Sequence, residues 1–391
     1  MIRRLARLRE IESAFKSVPI VSLLGPRQSG KTTLAREVAG HRSGVTHFDL
    51  ENPADVARLS APMNALAPLR GLVVIDEIQR IPVLFEILRV LADRPRNPAR
   101  FLILGSVDPR LVRGVSESLA GRVHHVDVTG FNLDETTPPR FQQLWRRGGF
   151  PRSFLARSDI ASLAWRTNYI RDFLQRDLAE LGVTIPTTTL ARFWNMIAHY
   201  HGGLWNAAEF ARALGSSEST ARRYLDLLTG AWAVRQLQPW FENIGKREIK
   251  SPKIYVQDSG LLHALLGLTT QSDLMGHVKS GASWEGFVIE QVMSLLRVRD
   301  AYFWGTHQGA ELDLLVTVGG KRFGFEMKLS DAPTATKSMR IAIEDLKLAH
   351  LFVVYPGRES YPLDDQIEVI SIQHLAERLE RLRKPRRRNH S

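Results

Sequence analysis

The strongest constraint on the fold of this chain is a glycine-rich segment of the form G-x-x-x-x-G-K-[ST], which is Gly25-Pro26-Arg27-Gln28-Ser29-Gly30-Lys31-Thr32-Thr33. The apolar, β-branched run 18–24 before it predicts a buried strand, and the run 34–39 after it favours a helix. Strand, loop and helix in this order are the setting of a P-loop, whose backbone N–H groups converge on phosphate oxygens. The alternative is an ordinary turn between strand and helix. The segment therefore predicts a nucleotide-binding site.

Two side chains of this loop have expected chemical roles. Lys31 would place its charge on the β- and γ-phosphates of a nucleotide, and the Thr32 hydroxyl would be a ligand of Mg²⁺. Gly25 and Gly30 would let the backbone curl around the phosphates.

A pair of acids follows the next clear strand. The apolar run 72–75 leads directly into Asp76 and Glu77, as in a Walker B strand that is buried until its C-terminal end. Asp76 would hold Mg²⁺ through water, and Glu77 would polarise the attacking water as the catalytic base. The alternative, a strand that ends in two solvated acids, is disfavoured once a P-loop precedes it.

The composition limits the class of protein. A chain of 391 residues is too long for one core and suggests several domains. Its apolar content of 44% is typical of soluble globular proteins, and no run approaches the length needed to cross a bilayer. The absence of cysteine excludes disulfides and thiol nucleophiles. We therefore expect a cytoplasmic protein with no membrane partner.

The net charge of +12 favours a polyanionic partner such as nucleic acid. Part of the excess lies in a basic tail over residues 377–391. Two interpretations of this tail stay open, a disordered solubilising end and an arm that grips phosphates. Its basic residues are Arg378, Arg381, Arg383, Lys384, Arg386, Arg387 and Arg388.

Several short segments occur in an order that resembles one family. They are GPRQSGKTTLA, HFDLENP, LVVIDEIQ, FLILGS and SLAGR, followed by residues 148–151, 169–172, 253–258, 311–315 and 325–329. The chain resembles prokaryotic AAA+ ATPases whose C-terminal half is a domain of unknown function with a nuclease-like fold. The resemblance covers nearly the whole chain and implies ATP as the nucleotide, with Mg²⁺.

The resemblance to AAA+ ATPases also implies roles for residues outside the P-loop. Ser106, at the end of strand 101–106, would be the sensor that contacts the γ-phosphate. Arg122 would be the finger that a neighbouring subunit of a homo-oligomer projects at that phosphate; its alternative roles are a surface arginine or a partner of the Walker acids. Arg152 stands where the family has an acid, and could instead be a lid residue that reaches nucleotide.

The middle of the chain predicts helices followed by a β-wing. Residues 144–181 suit the helical lid of an AAA+ module, and helices over 192–200, 206–215 and 221–228 precede strand-like stretches 233–237 and 246–250. This pattern is typical of a winged helix. In a DNA-binding interpretation the third helix reads the major groove, although Glu218 disfavours base contact; the alternative is a module that only packs or mediates assembly. The DNA-contacting side chains would be Ser217, Ser219, Thr220, Arg222 and Arg223, with Lys246, Arg247 and Lys250 on phosphates.

The C-terminal part predicts a hairpin, from 311–318 through Gly319-Gly320 to 322–329. Strand alternation allows Asp313, Glu326 and Lys328 to converge at one end of it. This set resembles the core of PD-(D/E)xK nucleases, in which the two carboxylates bind Mg²⁺ and the lysine orients the attacking water. Glu285, on a helix around 284–290, would complete the metal site. The alternatives are a self-satisfied salt-bridge cluster and a nuclease fold kept only for binding.

These observations predict an α/β fold with five segments. The favoured function is Mg²⁺-dependent ATP binding and hydrolysis coupled to action on double-stranded DNA. The alternative is an ATP-driven switch or assembly factor whose nuclease-like domain is inactive and binds a partner. The expected segments are a P-loop AAA+ core (1–135), a helical lid (136–188), a winged helix-turn-helix (189–250), a PD-(D/E)xK-like domain (251–376) and the basic tail (377–391).

Overall fold

The structure is a computed structural model that describes residues 2–95, 98–106, 118–180, 185–241, 249–306 and 309–383. The chain divides into two compact units, the first formed by Met1–Gly130 with Gly230–Trp232 and the second by Phe131–Thr229 with Ala233–Ser391. The predicted lid, winged helix and nuclease-like segment lie in the second unit apart from Gly230–Trp232 of the winged helix, and their division into separate domains stays a prediction. Within the described part of the chain, no helix is both long and apolar enough to cross a lipid bilayer.

The first unit is built around a parallel sheet of five strands, which confirms the predicted P-loop type of α/β fold. Its strands are β1 (Ile20–Gly25), β2 (Val45–Asp49), β3 (Gly71–Asp76), β4 (Ala99–Ser106) and β5 (Val123–Asp127). They stand in the order β2-β3-β4-β1-β5. Buried apolar side chains pack on both faces of the sheet, as expected for parallel strands that read as continuous apolar runs. The C-terminal ends of β1, β3 and β4 consequently meet at one edge.

The helices of the first unit flank this sheet. The amphipathic sequence of residues 83–92 buries Leu84, Phe85, Leu88 and Leu91 and leaves Val83 and Val90 exposed. Asn52 caps the helix that begins at Pro53, which suits the first helical position because proline has no N–H to satisfy. The helices are α1 (Leu5–Ala14), α2 (Lys31–Gly40), α3 (Pro53–Arg58), α4 (Pro62–Leu66), a 3₁₀ turn (Ile78–Arg80) and α5 (Val83–Ala92).

The second unit begins with the helices predicted as a lid. The stretch 144–181 is helical over most of its described length but is interrupted after Arg147, where Gly148 adopts a positive φ of 75°. A new helix begins at Asp159, with the Ser158 side chain as its N-cap. The elements are a 3₁₀ turn (Pro138–Arg140), α6 (Phe141–Arg147), α7 (Pro151–Phe154), α8 (Asp159–Asp172), a π turn (Phe173–Asp177) and α9 (Leu178–Glu180).

Three helices and a small sheet follow. They are α10 (Thr187–His199), β6 (Gly203–Leu204), α11 (Ala207–Leu214), α12 (Glu218–Gly230), β7 (Val234–Pro239) and β8 (Lys253–Val256). Strands β6 and β7 both pair antiparallel with β8. The predicted strand 246–250 is wrong for Ile249 and Lys250, which are not in a strand, and its other residues lie outside the described part. The strand that pairs with β6 and β7 is β8, which contains the apolar residues Ile254 and Val256 and lies after the predicted basic run.

The remaining strands extend the same sheet. They and their helices are α13 (Ser259–Leu265), α14 (Gln271–Gly276), α15 (Ser280–Leu296), β9 (Ala301–Gly305), β10 (Glu311–Val318), β11 (Lys321–Met327), α16 (Lys337–Leu346), β12 (His350–Tyr355), β13 (Tyr361–Pro362), β14 (Ile367–Ser371) and α17 (Ile372–Arg383). The nine strands stand in the order β13-β14-β12-β11-β10-β9-β7-β8-β6. Strand β7 pairs parallel with β9, with Gln238 opposite Tyr302 and Pro239 opposite Phe303. This pairing joins the small sheet of β6 to β8 to the strands β9 to β14.

Two predictions about the C-terminal part have clear outcomes. The hairpin is confirmed, with Leu314 of β10 opposite Phe325 of β11 and both turn glycines, Gly319 and Gly320, at positive φ. The basic tail begins inside α17, so residues 377–383 are helical, and Arg378 forms an ion pair with Glu368 at 3.0 Å. Residues 384–391, which contain Lys384, Arg386, Arg387 and Arg388, lie outside the described part.

Candidate functional site

The glycine-rich loop lies between the end of β1 and the start of α2. Gln28 and Gly30 have positive φ angles of 61° and 97°, so the backbone curls as the sequence predicts. A Cβ atom on Gly25 would lie 2.1 Å from the carbonyl oxygen of Val128, so only glycine fits there. Pro26 and Ser29 are buried, Arg27 is half-buried, and Gln28 and Thr33 are exposed.

The polar groups of the loop face its interior. The Lys31 ammonium, 5% exposed, donates to the carbonyl oxygens of Gly25 and Pro26 at 2.9 and 2.8 Å. The Ser29 hydroxyl is fully buried and has no hydrogen-bond partner among the described residues. A buried hydroxyl donor without a partner, next to an ammonium that the loop carbonyls hold in place, fits a phosphate group as ligand.

Arg4 supports the loop from the N-terminal segment, a role that no motif in the sequence indicated. Its guanidinium is buried and donates to the carbonyl oxygens of Ser29, Thr129 and Gly130 at 3.1 to 3.3 Å. Arg4 thereby ties the loop backbone to the segment that follows β5.

Thr32 and Asp76 meet beside the loop. The Thr32 hydroxyl donates to Asp76 Oδ2 at 2.7 Å, although the two residues are far apart in sequence. Burial raises the pKa of the Asp76 carboxyl, and the Thr32 hydrogen bond opposes this effect. A hydroxyl and a carboxylate at this distance match the donor set that Mg²⁺ prefers, so these residues fit the metal that accompanies a nucleotide.

Glu77 has a strained backbone next to Asp76. Its φ of 54° lies in the left-handed region, which is unusual for a non-glycine residue. The Gln79 side-chain amide donates a hydrogen bond to the Glu77 carboxylate. Ser106, the last residue of β4, lies opposite Gly25 in the sheet register, so its backbone is at the edge where the loop lies.

Arg122 lies at the opposite edge of the sheet. Its carbonyl accepts from the N–H of Ile20, the first residue of β1, whereas the loop follows the last residue of that strand. A strand of this length separates them by roughly 17 Å. The guanidinium forms a bidentate ion pair with Asp93 at 2.6 and 2.7 Å. Pairing with the Walker acids is therefore wrong, and a contact with nucleotide from a neighbouring subunit stays a prediction.

The structure brings Asp313, Glu326 and Lys328 together, as strand alternation predicts. Asp313 and Glu326 flank the paired residues Leu314 and Phe325 of the hairpin and are 7% and 4% exposed. Asp313 Oδ2 accepts from the Met327 N–H at 2.9 Å, and Lys328 Nζ donates to Glu326 Oε2 at 2.8 Å.

Two residues that the sequence analysis did not assign to this site complete it. Lys253 Nζ, from β8, lies 3.1 Å from Glu285 Oε1 and 3.9 Å from Asp313 Oδ1. The Tyr255 hydroxyl donates to the same Glu285 oxygen at 2.5 Å. We call Lys253, Tyr255, Glu285, Asp313, Glu326 and Lys328 the acid–lysine cluster.

The metal role of this cluster is not supported by its geometry. Across the described ranges, no group of three or more His, Cys, Asp or Glu side chains is arranged to hold a metal ion. In the cluster the ammonium of Lys253 stands between Glu285 and Asp313. The three carboxyls therefore do not fit a divalent metal in this arrangement.

Glu326 should make stability depend on pH. Burial, followed by the charge of Asp313, raises its pKa from 4.5 to about 8. Because the folded-state pKa exceeds the unfolded one, this group stabilises the fold below pH 4.5, and the contribution is lost as pH rises towards 8. We expect urea unfolding midpoints to fall more between pH 6 and pH 9 for the wild type than for Glu326→Gln. The exposed Glu344→Gln serves as a control that should keep the wild-type slope; equal slopes for the wild type and Glu326→Gln would contradict the assignment.

The residues predicted to contact DNA lie at the start of α12 and near the small sheet. Ser217, Ser219, Arg222 and Arg223 are exposed and Thr220 is half-buried. The Ser217 hydroxyl accepts from the Thr220 N–H at 3.2 Å, so it caps the helix. Lys250 and Arg152 are also exposed, and Lys246 and Arg247 lie outside the described residues.

Comparisons with known families assign most of the chain. Residues 17–137 match the AAA domain family, residues 138–272 match a domain of unknown function (DUF8612), and residues 280–375 match another (DUF4143). Uncharacterized protein Rv2008c of Mycobacterium tuberculosis is 54% identical over 365 residues, which cover 93% of this chain and 82% of that protein. Uncharacterized protein Mb2031c of Mycobacterium bovis matches to the same extent.

Solved structures show more distant similarity. The Walker-type ATPase PABY2304 of Pyrococcus abyssi is 14% identical, with a TM-score of 0.48, and the match covers 68% of this chain and 96% of that one. The DNA clamp loader delta protein of Bacillus subtilis is also 14% identical, with a TM-score of 0.24 over 58% of this chain and 86% of that one.

Proposed function

The chain belongs to the family of the mycobacterial proteins Rv2008c and Mb2031c and carries an AAA domain, and from this premise we propose that it binds and hydrolyses ATP with Mg²⁺. The observation that carries the proposal is the meeting of Thr32 and Asp76 at 2.7 Å beside the glycine-rich loop. A P-loop hydroxyl next to a Walker B carboxylate is the arrangement that nucleotide hydrolysis with Mg²⁺ requires.

The residues of the loop have separate tasks in this proposal. Lys31 leaves the carbonyls of Gly25 and Pro26 and binds the β- and γ-phosphates. The Ser29 hydroxyl and the loop N–H groups supply further donors to phosphate oxygens. Mg²⁺ supplies charge neutralisation between the phosphates, and Thr32 with Asp76 would hold it.

Glu77 and Ser106 would act on the water that attacks the γ-phosphate. Glu77 follows Asp76 directly and is the general base, which orients the water and accepts its proton. It becomes available when the Gln79 amide releases its carboxylate. Ser106 ends the strand next to β1 and is the sensor of the γ-phosphate in this proposal.

The test of the proposal is steady-state phosphate release from ATP by the full chain in Mg²⁺. Lys31→Ala should abolish turnover and weaken nucleotide binding, because the phosphates lose their buried ammonium. Lys16→Ala, which changes an exposed lysine outside the loop, serves as the control and should keep both properties. Turnover by Lys31→Ala equal to that of the wild type would overturn the proposal.

We also propose that the second unit binds duplex DNA through a winged helix. The order helix–strand–helix–helix–hairpin over α10 to β8 is the order of that motif, and it supports α12 as the recognition helix. Arg222 and Arg223 are exposed on this helix and Lys250 is exposed beside the hairpin. The chain's net charge of +12 also favours a polyanion.

Removing both arginines of α12 should weaken DNA binding. We expect Arg222→Ala/Arg223→Ala to lower the affinity for a fluorescent duplex about tenfold and to reduce its salt dependence, because fewer counterions are released. Arg157→Ala, an exposed arginine elsewhere in the second unit, is the matched control and should bind like the wild type. Unchanged binding by the double variant would contradict the DNA-binding assignment.

The same assays distinguish a DNA-acting machine from a nucleotide switch. ATP turnover that rises when duplex DNA is added favours coupling of the two activities. Turnover that is indifferent to DNA favours the switch or assembly factor, whose C-terminal segment binds a partner.

A further inference from the structure

Lys253 lies at the centre of the acid–lysine cluster. It is the first residue of β8, and its side chain is 13% exposed. Its Nζ is within 3.1 Å of Glu285 and 3.9 Å of Asp313, and it stands 5.6 Å from the centre of the Phe303 ring. We propose that Lys253 is the resident cation of the cluster and occupies the place between Glu285 and Asp313 that a divalent metal ion would need.

Donors of the protein already occupy one oxygen of Glu285 and one oxygen of Asp313. Glu285 Oε1 accepts from both Lys253 and Tyr255, and Asp313 Oδ2 accepts from the Met327 N–H. A metal ion that bound Glu285 and Asp313 would have to displace the Lys253 ammonium into an apolar surrounding that includes the Phe303 ring. Displacing a buried charge without a new partner is strongly unfavourable.

The third carboxyl of the cluster, Glu326, does not compensate a metal ion for the displacement of Lys253. Glu326 Oε2 accepts from Lys328, and Oε1 is buried without a hydrogen-bond partner among the described residues. A metal ion that bound Glu326 as well would therefore have to displace Lys328 in addition to Lys253.

Each carboxyl of the cluster lies beside an ammonium group without a metal. Lys253 lies beside Glu285 and Asp313, and Lys328 pairs with Glu326. A second cation between the same carboxylates would be repelled by Lys253 at short range in a poorly solvated site.

The cluster then has a structural role within the second unit. Lys253 belongs to the segment that matches DUF8612, whereas Glu285 and Asp313 belong to the segment that matches DUF4143. An ion pair between them fixes β8 against α15 and β10. This inference concerns a site apart from the glycine-rich loop and does not depend on the ATPase proposal.

The experiment measures Mn²⁺ binding to the full chain without nucleotide, by electron paramagnetic resonance. The wild type and Asp313→Asn should bind the same number of Mn²⁺ ions, because the cluster takes none. Lys253→Gln should gain one Mn²⁺ site, and the double variant Lys253→Gln/Asp313→Asn should lose it again. Lys253→Arg, which keeps the charge, should bind Mn²⁺ like the wild type.

The control is Lys328→Gln, which removes the other ammonium of the cluster but leaves Lys253 in place and should gain no site. The proposal is overturned if Asp313→Asn abolishes Mn²⁺ binding present in the wild type, or if folded Lys253→Gln gains no site. Circular dichroism establishes which variants are folded. Should Lys253→Gln not fold, the comparison of the wild type with Asp313→Asn still decides between a resident lysine and a metal.

Discussion

Glu77→Gln should reduce ATP turnover at least about 100-fold, because an amide cannot accept the proton of the attacking water as a general base does. Glutamine has the same shape and can keep the left-handed backbone conformation of residue 77, whose φ is 54°. The Thr32–Asp76 pair and the Lys31 ammonium are untouched. Nucleotide affinity should therefore stay close to that of the wild type. Phosphate release under saturating ATP, together with equilibrium binding of a fluorescent ATP analogue, measures both quantities.

The control for this variant is Glu86→Gln, which removes an exposed carboxylate from α5 in the same unit. It should keep wild-type turnover and affinity. If Glu77→Gln hydrolyses ATP as fast as the wild type, Glu77 is not the base and the water must be activated in another way. If Glu77→Gln loses affinity as well as turnover, the residue supports the loop instead of the chemical step.

Gly148→Ala should destabilise the second unit by about 3 kcal/mol, from a disallowed backbone conformation together with a steric clash. Gly148 has φ 75° and ψ 178°, a region that is essentially restricted to glycine. A Cβ atom there would lie 2.1 Å from Asp258 Oδ1. Asp258 cannot move away at low cost, because its carboxylate accepts from the N–H groups of Gly149 at 2.8 Å and Leu261 at 2.9 Å. Urea unfolding followed by tryptophan fluorescence measures the effect.

Gly267 provides a comparison for this variant. Gly267 also has a positive φ, 71°, but a Cβ atom on it would meet no atom within 4 Å. Gly267→Ala should therefore cost only about 1 kcal/mol, the strain of a left-handed residue. Equal losses for the two variants would contradict the additional cost expected at Gly148 from its glycine-restricted conformation and its contact with Asp258.

The sequence was sufficient to predict that the glycine-rich loop and Asp76 come together, because both lie at strand ends. The loop follows β1 directly, and Asp76 follows an apolar run, so the edge where the strands end brings Thr32 to Asp76. The same reasoning predicted that Asp313, Glu326 and Lys328 converge at one end of a hairpin whose turn is marked by Gly319-Gly320. In these cases short-range patterns determine which side chains meet.

Residues that depend on distant contacts could not be predicted. Lys253 reaches Glu285 and Asp313 only because β8 packs against elements that are far along the chain. Arg4 reaches Thr129 and Gly130 for the same reason. Neither the hydrophobic periodicity nor a motif of a single sequence indicates which residues from distant segments come into contact.

The place of Arg122 in the sheet also could not be predicted. Arg122 ends the segment SLAGR, and the parallel register carries its backbone to the edge of the sheet away from the loop of its own chain. Its role as a finger towards a neighbouring subunit stays a prediction. A motif gives only the order of elements along the chain. Whether a residue lies at one edge of a parallel sheet or at the other depends on the end of the strand that it occupies.

The pairing of β7 with β9 limits how this chain can be divided or rearranged in evolution. In the sheet order, β9 lies between β10 and β7, so a fragment that begins after residue 250 would leave β9 as an open edge. Unprotected edge strands pair with other chains. We therefore expect the two C-terminal family segments to be inherited as one piece, because exchange of either segment with an unrelated protein would have to supply a replacement strand beside β9. Natural recombination should be tolerated more readily near residue 130, between the two compact units, than near residue 250.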